Sequence, residues 1–315
     1  MRKAIFGILV VLGFLACKTA WAETYVNGTL STNTTWNMAG SPYIVTDTVY
    51  VANGVRLTIE PGVVVKFATE TSLISYGTLS AVGTSIATIT FTSSQTTATA
   101  GDWKGIKLSG SGANGSQIRY CEIMYAVVAL YSEYTSNIRI MYNYVHDNKG
   151  SGGLADYHGQ LGEMGCGIYL SFSNNNTIAS NTISNNTGGK GGTATGTWGS
   201  GGKGGSGVGI YLHQIRENII SGNIISQNKG GTGGDGVGGG GGEGGIGCGI
   251  YMYSATASTI STNVISNNTG GEGGIWRFGG TGGIGCGIYI SFSAENIIFE
   301  NTICNNVGGK GGNAA

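Results

Sequence analysis

Gly167-Ile168-Tyr169-Leu170, Gly209-Ile210-Tyr211-Leu212, Gly249-Ile250-Tyr251-Met252 and Gly287-Ile288-Tyr289-Ile290 open four copies of one repeat, spaced by 42, 40 and 38 residues. Each leads into an Asn-centred half: Asn181-Thr182-Ile183-Ser184-Asn185-Asn186, Asn223-Ile224-Ile225-Ser226-Gln227-Asn228, Asn263-Val264-Ile265-Ser266-Asn267-Asn268 and Asn301-Thr302-Ile303-Cys304-Asn305-Asn306. Asn143-Tyr144-Val145-His146-Asp147-Asn148 is a looser copy upstream. The unit is a constant part of about 20 residues followed by a glycine-rich part of varying length. Length variation confined to one place is how a solenoid absorbs insertions.

Within the constant part the hydrophobic period is two. Cys166, Ile168, Leu170 and Phe172 are expected to face inward, with Gly167, Tyr169 and Ser171 facing out. Ile178 and Ile183, Ile220 and Ile225, Ile260 and Ile265, and Ile298 and Ile303 repeat the inward positions. Such short strands bury no face alone. Stacked as parallel strands about 4.8 Å apart, they close their backbone hydrogen bonds between coils. Asn143, Asn181, Asn223, Asn263 and Asn301 then form a column, each at a sharp turn and each amide able to bond the next. Asn218 occupies a looser position and is expected to tolerate alanine. The pattern predicts an all-β chain, a right-handed parallel β-helix with glycine-rich insertions between coils.

Composition narrows the function classes. Glycine is 61 of 315 residues, proline only 2, and charged residues only 10%. Without a strict Gly-X-Y period the chain is not collagen, and without a basic surface it is not a nucleic-acid binder. Residues 1–22 read as a secretory leader: Arg2 and Lys3, then an apolar run from Ala4 to Ala16, then Ala20-Trp21-Ala22 as the cleavage site before Glu23. The competing reading is acylation at Cys17. Cleavage removes three basic residues and leaves 13 basic against 16 acidic. No other stretch is apolar for long enough to span a bilayer. We therefore expect a leader at 1–22, N-terminal coils over 23–120, and repeat coils over 121–315. The chain ends inside a glycine-rich part, so the natural protein is expected to be longer.

The N-terminal coils have another texture. Val49-Tyr50-Val51, Arg56-Leu57-Thr58-Ile59 and Val63-Val64-Val65-Lys66-Phe67 are broken by Asn53-Gly54 and Pro61-Gly62. Ile86-Ala87-Thr88-Ile89-Thr90-Phe91 and Trp103-Lys104-Gly105-Ile106-Lys107-Leu108 follow as further strands. With Gly77-Thr78-Leu79-Ser80-Ala81-Val82 and Gly101-Asp102-Trp103-Lys104, this sequence resembles the opening coils of secreted bacterial right-handed β-helix proteins of the pectin-lyase-like superfold. The Gly-Ile-Tyr and Asn-Asn repeats resemble their later coils and, loosely, the repeats of polymorphic outer-membrane adhesins. The resemblance covers roughly residues 35–315 and implies fold and an exported location. It does not imply one activity, since lyases, adhesins and structural passengers share the coil.

Cys166, Val208, Cys248 and Cys286 share one repeat position, which asks for a small inward side chain. A Cys248–Cys286 disulfide between neighbouring coils is compatible with the coil step, and the odd count from Cys121 onward leaves at least one free thiol. No Cys-x-x-Cys pair suggests zinc. The Gly-Gly-x parts have the period of three of a polyproline-II helix. They read either as such helices lying side by side through weak Cα–H···O contacts or as unordered loops, because glycine loses the most entropy on ordering. On both readings the solenoid core should not depend on them.

Aromatic residues interrupt these parts near mid-length. Tyr157, Trp198, Trp276, Arg277 and Phe278 are the first candidates for binding a glycan or a cell-surface partner. Tyr169, Tyr211, Tyr251 and Tyr289 form a second column that either stabilises the sheet or binds. For catalysis the best group is His146, Asp147, Asp156, His158 and Glu163, with His213, Arg216 and Glu217 nearby. Calcium at Asp235 or Glu243 is a weak option, since isolated acids do not supply six to eight oxygens; no cofactor is otherwise implied. The first expectation is an exported, non-catalytic surface protein that binds glycans or a partner. The alternative is a polysaccharide lyase or glycoside hydrolase of the same fold.

Overall fold

The computed structural model describes residues 23–314, so the leader and cleavage site read at 1–22 lie outside the described residues. The chain winds as a right-handed parallel β-helix whose coils each carry three short strands. In the coil that opens at Gly165 these are Gly165–Ser171, Thr177–Ala179 and Thr182–Ser184, which we call the first, second and third faces. Every strand pairing is parallel and the repeats are in phase: Tyr169 lies beside Tyr211, Tyr211 beside Tyr251 and Tyr251 beside Tyr289. The second face is a nine-stranded sheet that begins at Thr34–Trp36 and ends at Ile297–Phe299.

The core is the column of inward residues. Leu57, Leu79, Ile118, Ile140, Ile178, Ile220 and Ile260 fill it from the second face, and Ile168, Ile210 and Ile250 from the first; all are fully or almost fully buried. Aromatic packing marks the N-terminal coils. Trp103 stacks on Phe67 with ring centroids 3.9 Å apart, and its Nε1–H donates to the Met124 carbonyl at 2.9 Å. One inward assignment and one strand start fail. Phe172 follows the strand in a left-handed conformation at φ 48° and is exposed, because the chain must turn there. Ile86 is 95% exposed in the turn between Thr84 and Ala87, which pair with each other, and the strand begins only at Ile89.

The asparagine column is present and has company. Asn143, Asn181, Asn223, Asn263 and Asn301 pass Nδ2–H to the next Oδ1 at 2.9 Å in each of four steps. The left-handed residue of each turn is not the asparagine but its predecessor: Tyr142, Ser180, Gly222, Thr262 and Glu300. The asparagine's role is therefore to satisfy backbone groups inside the turn. A second ladder, Asn148, Asn186, Asn228, Asn268 and Asn306, runs down the end of the third face with bonds of 2.8–2.9 Å. Asn218 belongs to a third, partial ladder. It is 1% exposed, accepts from the Asn176 N–H at 2.9 Å and donates to the Ser173 carbonyl at 3.1 Å, so it is not a loose position.

The glycine-rich parts are ordered. Each leaves the third face as an outgoing limb and comes back to the first face as a return limb, and limbs of successive coils stack into two layers. Within the outgoing layer Gly153, Gly191, Gly233 and Gly273 donate to the carbonyls of Lys190, Thr232, Glu272 and Lys310 in the next coil, at 2.8 Å each. Across the layers Gly189, Gly205, Gly231, Gly245, Gly271, Gly283 and Gly309 form one relay, each N–H donating at 2.8 Å to the carbonyl of the residue before it, with Glu163 at its start. These N–H···O bonds, repeating every third residue, replace the weak Cα–H···O contacts expected from sequence. They also tie residues 191–204 to limbs on both sides, so these insertions are part of a continuous stacked layer.

Cys248 and Cys286 form a disulfide between neighbouring coils, their Cα atoms 4.8 Å apart, while Cys121 and Cys166 are buried and Cys304 is exposed. Burial pushes the Cys166 thiol up to about 12. Of the five cysteines from Cys121 onward, one should react with a thiol reagent in the native protein, three after denaturation and five after reduction. Five labels without reductant would disprove the bridge.

Candidate functional site

On the first face the outward positions are set by strand alternation, and register stacks like on like. Tyr131, Tyr169, Tyr211, Tyr251 and Tyr289 form a continuous column with ring centroids 4.7–4.8 Å apart. Lys107 caps its lower end, its Nζ 4.9 Å from the Tyr131 ring centroid. The residue before each strand is the last of a return limb, so Met164, Ser206, Ile246 and Ile284 stack in register as a wall beside the tyrosines. Wall and column meet at a concave corner that follows the solenoid. It holds a groove of about 510 Å³ lined by Ile74, Lys104, Lys107, Tyr131, Glu163 and Met164, among others. A second hollow of about 300 Å³, reached past Met164 and Tyr211, continues it.

The chemistry of this ledge is uneven along its length. Its lower end is charged: Lys107 Nζ lies 2.9 Å from Glu133 Oε2 and Lys104 Nζ 2.6 Å from Glu70 Oε2. The hydrogen bond from Lys107 holds the Glu133 carboxyl below its ordinary range. Burial, helped by the Glu133 charge, raises the Tyr131 phenol, which stays protonated at neutral pH. Farther up, the tyrosines face one another. Tyr211, Tyr251 and Tyr289 are near parallel, at 5° and 13°, so their ring faces are used within the column and the ledge presents ring edges and hydroxyls. A row of hydroxyls against a wall that is apolar except at Ser206 suits a chain with both polar and C–H surfaces.

The catalytic group expected from sequence is not one site. His146 is buried on the third face, its Nδ1 2.7 Å from Asp147 Oδ2 and its Nε2 3.3 Å from Glu122 Oε1, with Tyr144 stacked on its ring. Asp156 and His158 sit at the far tip of the first limb pair, where His158 Nδ1 accepts from the Ser200 N–H at 3.1 Å. A six-residue limb at about 3.1 Å per residue places that tip about 18 Å from the solenoid wall. Glu163 lies on the return limb and lines the lower groove. Arg216 pairs with its neighbour Glu217 on the surface, and His213 Nδ1 is 3.3 Å from Ser171 Oγ. Asp235 and Glu243 face Lys190 at 3.7 Å and Lys203 at 3.0 Å, which gives each a cationic partner. Among the described residues no three His, Cys, Asp or Glu side chains converge as metal ligands.

Tyr157, Trp198, Trp276, Arg277 and Phe278 all lie at limb tips along the bundle's outer rim. Trp198 and Phe278 are the most exposed, at 73% and 72%. The Tyr157 ring packs over Gly196 of the next tip. Among the described residues no two of the rings of Tyr157, Trp198, Trp276 and Phe278 stack, so the rim carries separate aromatic points rather than one cluster. Lys107, Tyr131 and Glu133 were missed by the sequence reading. The signal was there: Ala129-Leu130-Tyr131 precedes Ile168-Tyr169 by the same 38 residues as a later repeat step.

Residues 156–313, half of the chain, match the family described as the right-handed β-helix region, and residues 28–127 match the pectate-lyase-like β-helix domain. The chain belongs to the right-handed β-helix family. No curated protein matches it in sequence. Among solved structures it is similar to a double mutant of the periplasmic alginate epimerase AlgG, at 10% identity, 88% of this chain, 76% of that chain and a TM-score of 0.39. It is similar to the enzymatically active domain of bacteriophage CBA120 tailspike protein 2, at 11% identity, 83% of this chain, 39% of that chain and a TM-score of 0.37. It is also similar to a nine-helix polyproline type II bundle, a springtail antifreeze protein from Granisotoma rainieri, at 22% identity, 53% of this chain, 94% of that chain and a TM-score of 0.21.

Proposed function

We propose that the protein is an exported, non-catalytic β-helix protein that binds an extended polysaccharide along the tyrosine ledge. The observation that carries this is the ledge itself: a concave corner of hydroxyls and ring edges running from Tyr131 to Tyr289, capped by Lys107 and flanked from Met164 onward by a wall that is apolar except at Ser206. Export rests on the leader read at 1–22, and among the described residues no helix is long and apolar enough to cross a membrane. The rim aromatics Trp198, Trp276 and Phe278 serve as a second contact, reaching surfaces the ledge does not.

Affinity electrophoresis or a glycan array with purified protein tests the ledge. Tyr211→Ala should weaken retention on a bound glycan at least tenfold, about 1.4 kcal/mol, with melting lowered by only a few degrees. If the triple change Tyr157→Ala, Trp198→Ala, Trp276→Ala abolishes retention and Tyr211→Ala does not, the rim is the binding face and the ledge reading fails. Export is checked separately, by finding Glu23 at the N-terminus of the secreted or periplasmic protein; an acylated Cys17 would contradict the cleavage site.

The second reading, a chain-cleaving enzyme, has one observation in its favour: the Lys107, Glu133 and Tyr131 cluster shares the lower groove with Glu163. Release of unsaturated or reducing ends from a polysaccharide, lost in Lys107→Ala, would establish it over the non-catalytic one.

A further inference from the structure

The turn between the second and third faces carries an aromatic step. Its left-handed position is Tyr120, then Tyr142, in two successive coils, and Ser180, Gly222 and Thr262 in the coils that follow. Those later coils show that the turn itself does not require a ring, and a bulky side chain at positive φ is held there at a cost. The two tyrosine rings stack on each other, with centroids 4.9 Å apart and planes 9° from parallel. The next residue of the column is Ser180, and among the described residues Tyr142 stacks on no ring but Tyr120. Tyr142 and, beyond the buried Asn143, Tyr144 are both exposed. Together with Tyr120 they line a hollow of about 370 Å³, whose other lining residues include Ser85, Thr88 and Ser180.

No charged side chain lines this hollow, but one stands at its edge. Arg119, the chain neighbour of Tyr120, holds its guanidinium carbon 5.9 Å from the Tyr142 ring centroid. Its Nε–H is buried and has no acceptor. Lys104, Lys107, Lys190, Lys203 and Arg216 each have a carboxylate at 3.7 Å or closer, whereas Arg119 has none among the described residues. Arg139 is equally unpaired there. It lies one coil on in the second face, opposite Gln117 and so diagonal to Arg119. Two guanidinium groups without counter-ions thus sit beside an aromatic platform, in a chain whose acids outnumber its bases from Glu23 onward.

We propose that this corner binds an acidic sugar residue, a single pyranose ring that carries a carboxylate or a sulfate. The uncovered face of Tyr142 takes the C–H face of the ring. Ser85, Thr88 and Ser180 exchange hydrogen bonds with its hydroxyls. Arg119 meets the anion through its planar fork of N–H groups, the geometry that carboxylate and sulfate oxygens match. An uncharged sugar leaves the guanidinium unmatched, so the site discriminates by charge. The ledge differs in this respect, because its cations Lys104 and Lys107 are already paired. The two sites lie on different sides of the solenoid, and this one is independent of the ledge reading.

Methyl glucuronide, methyl galacturonide and glucose sulfate, each beside its uncharged parent sugar, are titrated against the intact protein and followed by saturation-transfer NMR. At least one acidic sugar should bind at millimolar concentration, and its parent about tenfold more weakly. Arg119→Gln should bring the acidic sugar down to the affinity of its parent. Tyr142→Asn should abolish binding of both; asparagine tolerates the left-handed backbone there, φ 59°, so the turn is kept. Arg56→Gln, an exposed arginine elsewhere on the second face, and Tyr211→Ala on the ledge should leave binding unchanged. The preference of the unaltered protein for the charged member of each pair tests the proposal even where a variant fails to fold. The proposal is overturned if no acidic sugar binds at millimolar concentration or if parent and acid bind equally. It is also overturned if Arg56→Gln weakens binding as much as Arg119→Gln. Binding lost in Tyr211→Ala but kept in Tyr142→Asn would place the sugar on the ledge and overturn it as well.

Discussion

Gly231→Ala is expected to destabilise the protein by about 3 kcal/mol, lowering its melting temperature by several degrees. The sign is what makes the experiment informative. In an unordered loop the same change would be neutral or would stabilise by about 0.4–1 kcal/mol, because alanine restricts the unfolded chain more than glycine does. In the bundle the added Cβ is driven into the carbonyl of Gly189, a backbone atom of the previous coil that cannot rotate away. Gly231 is also bonded on both sides, its N–H donating to Gly205 and its carbonyl accepting from Gly245, each at 2.8 Å. A shift to relieve the clash therefore disturbs three limbs. Thr232→Ala, one residue on, should stay within about 0.5 kcal/mol, since that residue is half-exposed and alanine keeps its backbone bond from the Gly191 N–H. Thermal or denaturant unfolding of the pair decides the matter. Equal shifts, or a gain on Gly231→Ala, would mean that the limbs do not pack against one another.

The fold was legible because the solenoid writes the same instruction repeatedly. Period-two alternation fixed the inward isoleucines, and the 42, 40 and 38-residue spacings fixed the register that aligns Tyr169, Tyr211, Tyr251 and Tyr289. Errors came where one residue carries two demands. Phe172 continues the alternation but is used to turn the chain, and a left-handed φ overrides hydrophobic parity. Asn185-Asn186 shows the same division of labour: the first asparagine takes the left-handed turn and the second builds a buried ladder, which composition alone does not distinguish. The state of the glycine-rich parts was undecidable from a single limb. A Gly-Gly-x segment has too little side chain to reveal its partner, and its order comes from limbs in neighbouring coils. The catalytic grouping failed for a geometric reason. Residues 146 to 163 are close in sequence, but an extended limb carries Asp156 and His158 away from the wall, while return of the chain brings Glu163 to the groove that Lys107 and Tyr131 also line.

Asn223→Leu should cost about 4 kcal/mol, the largest effect expected from any single change on the solenoid wall. Asn223 is fully buried and makes four bonds through its side chain. Its Oδ1 accepts from the Asn181 N–H at 3.0 Å and from Asn181 Nδ2 at 2.9 Å, and its Nδ2 donates to the Ile178 carbonyl at 3.0 Å and to Asn263 Oδ1 at 2.9 Å. Leucine has similar bulk but leaves the buried Asn181 N–H without a partner inside the turn, and takes one bond each from the Ile178 carbonyl and Asn263 Oδ1. Each such buried group costs about 1–3 kcal/mol. The rest of the column softens the loss only slightly, because Asn181 Nδ2 keeps its bond to the Ile140 carbonyl at 2.9 Å. Asn223→Ser should cost less, since the third ladder already uses Ser258 Oγ to accept from the Asn218 N–H at 3.1 Å. Ile224→Thr, next in sequence but 49% exposed and flanked by Thr182 in the preceding coil, should change stability by less than about 0.5 kcal/mol. Unfolding in denaturant would rank the three. If serine is as damaging as leucine, lost packing rather than lost hydrogen bonding controls this position. If leucine is as mild as Ile224→Thr, the amide column does not hold the coils together.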